Sequence, residues 1–419
     1  MSGGGAAPPD RHRVVVTGMG LCSPIGNELD VVSEALALGR GGIVAVPEWP
    51  ARFKMNTGVA GLVEGVTAKQ YPRRKVRTMG RVALLSAYAS ERAIAHAGLD
   101  RERLGDGSVG LAYGSTHGSS AETEAYCREV FRTDSLQGIA GSQFLKFMSH
   151  TCAANLAEFF GIRGRVQPTC SACTSASQAI GTGYEYIREG HAQIMIVGGA
   201  EEAHFIPAGI FDVMFAASSK FNDAPGHTPR PFDAQRDGVV IGEGAGTLVL
   251  ERYDLARARG ATIHAEITGY ATTCDGIHLT KPSWEGMARC MSLGLAAAGV
   301  EPDEVDYVNA HGTATELGDI AESKATAHVL GSKVPVSTQK SYTGHTLGAC
   351  GALESVFSLL MMRDGFIAAN RNLDQVDERC AALDYVRGSA RQAQLNVVLN
   401  TNFAFGGINT ALVFRRLRD

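Results

Sequence analysis

Short, nearly continuous apolar runs that close on glycine recur along the chain, and between them apolar residues return every three or four positions. The runs lie at Arg13–Gly20 (RVVVTGMG), Ser108–Thr116, Gln193–Glu202, Gly246–Glu251, Val305–Thr313 and Leu395–Gly407. Their length and β-branched content mark them as strands covered on both faces, because such strands have no polar side to alternate with. RVALLSAYASERAIAHAGL, from Arg81, and GMARCMSLGLAAAGV, from Gly286, carry the helical period instead. Buried strands alternating with helices predict an α/β fold.

The order of elements repeats. AHAGLDRERLGDGSVGLAYGST, from Ala95, and AAAGVEPDEVDYVNAHGT, from Ala296, share a helix ending in Ala-Gly, an acidic connector, and a strand opening into Gly-Ser/Thr. ACTSASQAIGTGYEYIREG, from Ala172, and GACGALESVFSLLMMRDG, from Gly348, are both small-residue helices closing on Arg-acid-Gly. This predicts two related halves joined near Arg252–Ala261, with 1–12 a disordered start, 13–253 the N-terminal half and 254–419 the C-terminal half.

Composition adds exclusions. A formal charge of -4 over 419 residues gives no overall pull toward nucleic acid or an anionic membrane surface, so a charged partner must be met by a local patch. No apolar run reaches the ~18 residues of a membrane span, and MSGGGAAPPDRH lacks the apolar core of a signal peptide. The reading is a cytoplasmic protein, with nine scattered cysteines as reduced thiols rather than a disulfide framework.

Two of those cysteines, Cys170 and Cys173, stand in PTCSACTSASQAIG. Such a pair can be a redox couple, half of a zinc site, an incident of a closely packed helix, or a nucleophile at a helix start. No second close Cys/Cys or Cys/His pair supports zinc. If the helix begins near Cys173, its unpaired N–H groups and dipole lower the thiol pKa. Two histidines stand in matching settings: His311 in NAHGTATELGD, just past a buried strand, and His345 in KSYTGHTLGACGA, at the mouth of the second small-residue helix.

SACTSASQAIG, NAHGTATELGD, KSYTGHTLGACGA and NFAFGGIN, in this order and at these separations, resemble the Cys-His-His motifs of the β-ketoacyl-acyl carrier protein synthase I/II class. The resemblance runs from Arg13 to Leu417 and implies a thiolase-like five-layer αβαβα sandwich of two duplicated halves. It makes Cys173 the acylated residue, leaving Cys170 to pack nearby and be dispensable. His311 and His345 become donors to an enolate formed by decarboxylation of a malonyl thioester. The backbone N–H groups of Cys173 and Phe403 become the oxyanion hole, and Lys340 an electrostatic organiser.

By the same resemblance, Glu322, Asp319 and Glu354 are supporting acids, although Glu354 also reads as a plain helix-surface carboxylate. Thr313 and Thr315 contact the phosphopantetheine arm or malonyl group, and Phe405 joins Phe403 in an aromatic gate. Arg73, Arg74, Lys75 and Arg77 match the docking surface for acidic carrier proteins, against the plainer reading of a solvated charge run. The implied partners are acyl carrier protein and a second copy of the chain, or a related ketosynthase-like subunit. No cofactor or metal is implied, since phosphopantetheine arrives on the carrier.

The sequence departs from the family pattern where Ala404 replaces a glycine and Ile408 a threonine of the gate, where Asn402 replaces the usual serine, and at Glu316–Leu317. Substrate choice is thereby left open between fatty-acid elongation and a type II polyketide or aryl-polyene pathway. A non-catalytic chain-length partner and a thiolase acting on coenzyme A are disfavoured, the first by retention of Cys173, the second by the pair of histidines.

Overall fold

The structure, a computed structural model, describes residues 11–417. Residues 1–10 of the expected disordered start therefore lie outside the described residues. Arg11 and His12 do not fit that expectation: the His12 N–H donates to the Arg188 carbonyl at 3.0 Å, and Arg11 pairs with Glu189 at 3.4 Å.

The main sheet contains β1 (Val14–Cys22), β2 (Val109–Gly114), β3 (Val166–Thr169), β4 (Ile194–Glu201), β5 (Gly244–Arg252), β6 (Ala265–Cys274), β7 (Tyr307–Asn309), β8 (Pro335–Ser337), β9 (Asp384–Tyr385), β10 (Val397–Ala404) and β11 (Ile408–Arg415). The helices that cover it are α1 (Arg81–His96), α2 (Thr151–Phe160), α3 (Ser175–Arg188), α4 (Trp284–Ala298), α5 (Glu316–Leu330) and α6 (Cys350–Asp364). In space the strands of the first half run β1-β5-β4-β2-β3, and those of the second run β6-β11-β10-β7-β8 with β9 added at the edge. In both halves the first two junctions are antiparallel and the next two parallel. Val14–Val16 pair with Ala265–Ile267, so the two half-sheets join into one ladder along their first strands.

Five layers result. α1 and α2 cover the outer face of the first half-sheet, α3 and α6 form the middle, and α4 and α5 cover the second. α6 is buried at every position from Cys350 to Met362, as a helix enclosed on all sides must be. The duplication persists in individual contacts. A Cβ at Gly18 would meet the Ala93 carbonyl oxygen at 2.3 Å and the Ala97 Cβ at 2.7 Å, where β1 lies on the end of α1. A Cβ at Gly269 would meet the Gly294 oxygen at 2.5 Å and the Ala298 Cβ at 2.7 Å, where β6 lies on α4. Both strands need glycine because a helix backbone occupies the side-chain space.

Each middle helix is entered through one turn of 3-10 helix, Ala172–Thr174 before α3 and Leu347–Ala349 before α6. Each turn opens on a non-glycine residue in the left-handed region, Ala172 at φ 49° and Leu347 at φ 44°. Such backbone costs on the order of 1 kcal/mol per residue and is kept where surrounding contacts fix it. No helix among the described residues is long and apolar enough to cross a membrane.

Candidate active site

The strained turn before α3 carries Cys173, and short hydroxyl side chains hold it. Ser175 Oγ accepts from the Ser171 N–H at 2.9 Å and donates to the Ala172 carbonyl at 2.7 Å, while Thr174 Oγ1 donates to the Ser171 carbonyl at 2.8 Å. The small residues of this stretch are therefore the turn's own fasteners. Cys173 is 6% exposed and borders a cavity of about 730 Å³ shared with His311, His345, Thr313, Phe403 and Phe405. Cys170, three residues earlier, is exposed, with its thiol on the Thr116 carbonyl at 2.9 Å; it does not pack into the site.

His345 Nε2 lies 2.9 Å from Cys173 Sγ, and its Nδ1 accepts the Leu347 N–H at 3.3 Å. His311 follows β7, with Lys340 Nζ at 3.2 Å and Asn402 Nδ2 at 3.4 Å from its Nδ1. Ammonium and amide NH₂ groups only donate, so Nδ1 accepts in both rings and the proton of each neutral imidazole is on Nε2. The rings stand perpendicular, 5.1 Å apart between centroids. Burial, and after it the charge of Lys340, push both histidines well below their ordinary pKa of 6.5, so they act as neutral N–H donors near pH 7. The ligand atoms of Cys173, His311 and His345 lie within 4.8 Å of one another, which is metal-triad spacing. The tautomer set by the Leu347 N–H nevertheless turns the His345 Nε2–H, not a lone pair, toward the sulfur.

Burial also pushes the Cys173 thiol up to about 12, opposed by the Lys340 charge and by Cys173's own N–H. The lowered thiol pKa expected at a helix start is thus overturned. The helix begins as expected, but burial outweighs its amides, and Cys173 rests as a thiol.

Lys340 and Glu354 form a buried ion pair, each 2% exposed, which removes the surface reading of Glu354. Burial acts to lower Lys340, but the charge of Glu354 holds its pKa above the ordinary value, so the ammonium persists. Glu322 accepts the N–H groups of His311 at 2.6 Å and Gly312 at 2.7 Å, fixing the loop that presents the imidazole. Asp319 accepts from Phe232 N–H at 2.7 Å and Ala314 N–H at 3.1 Å, and lies 3.7 Å from Arg236 Nε. Burial pushes Glu322 up to about 7 and Asp319 up to about 6. Thr313 and Thr315 bond to each other at 2.9 Å on the cavity wall. Phe403 faces His311 at 6.1 Å, and Phe405 stacks on Phe211 at 5.2 Å.

Arg73, Arg74 and Arg77 are exposed on and beside a one-turn helix, Arg73–Val76, while Lys75 is half-buried with Nζ 4.6 Å from the Phe159 ring centre. Two residues of the site were given no role by sequence reasoning, Asn402 being noted only as a departure from the family pattern. Asn402 donates to Glu354 at 2.6 Å, and Cys350 reaches the Cys173 carbonyl at 3.2 Å. The signals for Asn402 were that departure and its place two residues after Asn400, on the strand face opposite Phe403.

Residues 11–256 match the beta-ketoacyl synthase N-terminal domain, and residues 264–374 match the beta-ketoacyl synthase C-terminal domain. The chain is similar to 3-oxoacyl-[acyl-carrier-protein] synthase 1 of Escherichia coli, at 39% identity over 97% of this chain and 100% of the relative. Among solved structures it resembles a beta-ketoacyl synthase from Burkholderia phymatum, with TM-score 0.93, 46% identity, and coverage of 97% and 100%. A type II polyketide ketosynthase, solved with its acyl carrier protein, aligns with TM-score 0.89 and 29% identity over 97% and 100%.

The depressed histidine pKa values have a direct readout. In a nitrogen-detected NMR titration, both rings are expected to keep the Nε2–H tautomer from pH 8 down through pH 6.5, protonating only well below it. A midpoint at or above 6.5 for either ring would contradict the burial argument.

Proposed function

The chain belongs to the β-ketoacyl synthase family, and we propose that it condenses an acyl thioester with malonyl-acyl carrier protein, releasing carbon dioxide, in fatty-acid biosynthesis. The supporting observation is the placement of His345 Nε2 2.9 Å from the Cys173 sulfur with the His311 ring perpendicular beside it. Relatives named 3-oxoacyl-[acyl-carrier-protein] synthase match at up to 39% identity, against 29% for the polyketide ketosynthase, which favours the fatty-acid reading over the polyketide one.

In the first half-reaction Cys173 sulfur bonds to the acyl carbon and the carrier's phosphopantetheine thiolate leaves, taking up the Cys173 proton. The backbone N–H groups of Cys173 and Phe403 hold the tetrahedral oxygen. In the second, the bond from the malonyl methylene to its carboxylate breaks, carbon dioxide departs, and the electron pair moves to the thioester oxygen. Two neutral N–H donors face that enolate oxygen, and neutral donors suit it because they stabilise the charge without protonating it. The enolate carbon then attacks the Cys173 thioester, the carbon–sulfur bond breaks, and the Cys173 thiolate takes up a proton from solvent. Lys340 fixes the His311 tautomer, Glu354 balances Lys340, and Glu322 and Asp319 hold the loop. Thr313 and Thr315 steady the pantetheine arm, while Phe403 and Phe405 gate the sulfur. Phosphopantetheine comes with the carrier, and nine free cysteines fit a reducing, cytoplasmic setting.

Cys173→Ala is expected to abolish condensation and the acyl adduct seen by mass spectrometry while keeping decarboxylation of malonyl carrier. His311→Ala or His345→Ala should lower carbon dioxide release ~100-fold or more. Normal release in either histidine variant would refute the roles assigned.

Carrier docking is assigned to Arg73, Arg74 and Arg77, helped by Lys75, since none of the four forms an ion pair among the described residues. Arg74→Glu should raise KM for the carrier ~10-fold, about 1.4 kcal/mol, at low salt with kcat unchanged. An unchanged KM would move docking elsewhere.

The assembly is assigned as a homodimer through β3. This strand ends the ladder, so its outer edge is unpaired among the described residues, and Val166 on it is 39% exposed. Light scattering should give twice the chain mass. A monomer at micromolar concentration would contradict this.

A further inference from the structure

Asn402 lies near the end of β10, its side chain turned toward both middle helices. Its Nδ2 donates to Glu354 Oε2 at 2.6 Å and lies 3.4 Å from His311 Nδ1 and 3.6 Å from Cys350 Sγ. Its Oδ1 accepts from Ser177 Oγ, one helical turn beyond Cys173 on α3. The amide orientation follows from its partners: reversed, the oxygen would face a carboxylate. Space for the contact comes from Gly351, where a Cβ would stand 1.9 Å from Ser177 Oγ and 2.6 Å from Asn402 Oδ1. One fully buried amide thus touches the nucleophile's helix, the acid that balances Lys340, and a catalytic histidine. A serine, with a single hydroxyl on a shorter side chain, cannot span all three.

We propose that Asn402 is a positioning residue for the decarboxylation step, holding His311 with its proton on Nε2 and fixing the Lys340–Glu354 pair to the helix that carries Cys173. This rests on the condensing-enzyme reading above. Two donors at His311 Nδ1, from Lys340 and Asn402, leave that nitrogen no proton of its own, so the other must carry it toward the substrate. Asn402 makes this arrangement with a neutral group. The titratable and charged groups around His311 are Lys340, His345 and Cys173 at the ring, Glu322 at its backbone, and Glu354 and Cys350 behind Asn402. A second carboxylate in place of the amide would meet Glu354 at hydrogen-bond distance and draw a proton to His311 Nδ1. Acyl transfer to Cys173 does not use the His311 donor and is expected to be spared.

The test is Asn402→Asp beside Asn402→Ser, with carbon dioxide release from malonyl carrier and Cys173 acylation from acyl carrier measured separately. Asn402→Asp is expected to lower kcat for decarboxylation ~100-fold with KM for malonyl carrier unchanged. Its acylation should stay near the wild-type rate, and the acid limb of its decarboxylation profile should move to higher pH. Asn402→Ser, which keeps one hydroxyl, should fall between Asp and wild type, and it carries the same comparison should the Asp variant not fold. Equal loss of both half-reactions, or decarboxylation at the wild-type rate in the folded variants, would overturn the positioning role. Wild-type protein releasing no carbon dioxide from malonyl carrier would instead sink the condensing-enzyme reading, and the role of Asn402 with it.

Discussion

The close approach of α3 and α6 in the middle layer is the constraint on which the site depends. The two helices start side by side, each behind a strained turn, and bulk at their contact would separate them. A Cβ at Gly199 would meet the Gly348 oxygen at 2.6 Å and the Ala176 Cβ at 2.7 Å, and Gly351 is equally crowded by Ser177. Small residues at these positions exchange side-chain packing for backbone proximity. That exchange brings a thiol at the head of one helix against an imidazole at the head of the other, 172 residues away in sequence. Duplication supplies the geometry, since two copies of one half related by an approximate twofold must present equivalent helix starts to each other.

Burial then decides the chemistry. A site removed from water disfavours every charge that lacks a partner, and the charges retained here are paired: Lys340 with Glu354, and Arg236 with Asp377 at 2.6 Å. The histidines are left neutral and the thiol protonated. In the proposed reaction, neutral imidazoles would hold oriented N–H groups toward the developing negative charge without extinguishing it by proton transfer. The same burial disfavours a resting thiolate at Cys173, so in the proposed reaction the sulfur would shed its proton as the leaving thiol gains one. Breaking the Lys340–Glu354 pair by removing one partner would leave an uncompensated buried charge, a cost of about 3–5 kcal/mol.

The end of β10, proposed as a gate, illustrates how departures from a family pattern can be absorbed. Ala404 ends β10 opposite Ile408 and stays out of the left-handed region, whereas Gly406 at φ 87° and Gly407 at φ 70° occupy it. In this conformation the methyl group at 404 meets no backbone penalty. It restricts the other conformations open to the segment, and so bears on motion more than on the resting site. The loop beyond it is tied to its neighbours by Gly406 N–H to the Leu279 carbonyl at 2.7 Å and Asp275 N–H to the Gly407 carbonyl at 2.8 Å.

The sequence by itself determined the alternation of buried strands and helices, the duplication, and the motifs that single out Cys173, His311 and His345, because strand burial, helical period and motif residues can be read from neighbouring positions along the chain. The tertiary structure alone decided the protonation of the thiol, the tautomers of both histidines, the burial of Glu354, and the places of Asn402 and Cys350. Each of these depends on groups from separate strands and helices meeting in a buried space. Desolvation belongs to the whole assembly of layers. A motif can name the nucleophile, but only the enclosure around it sets where its proton resides.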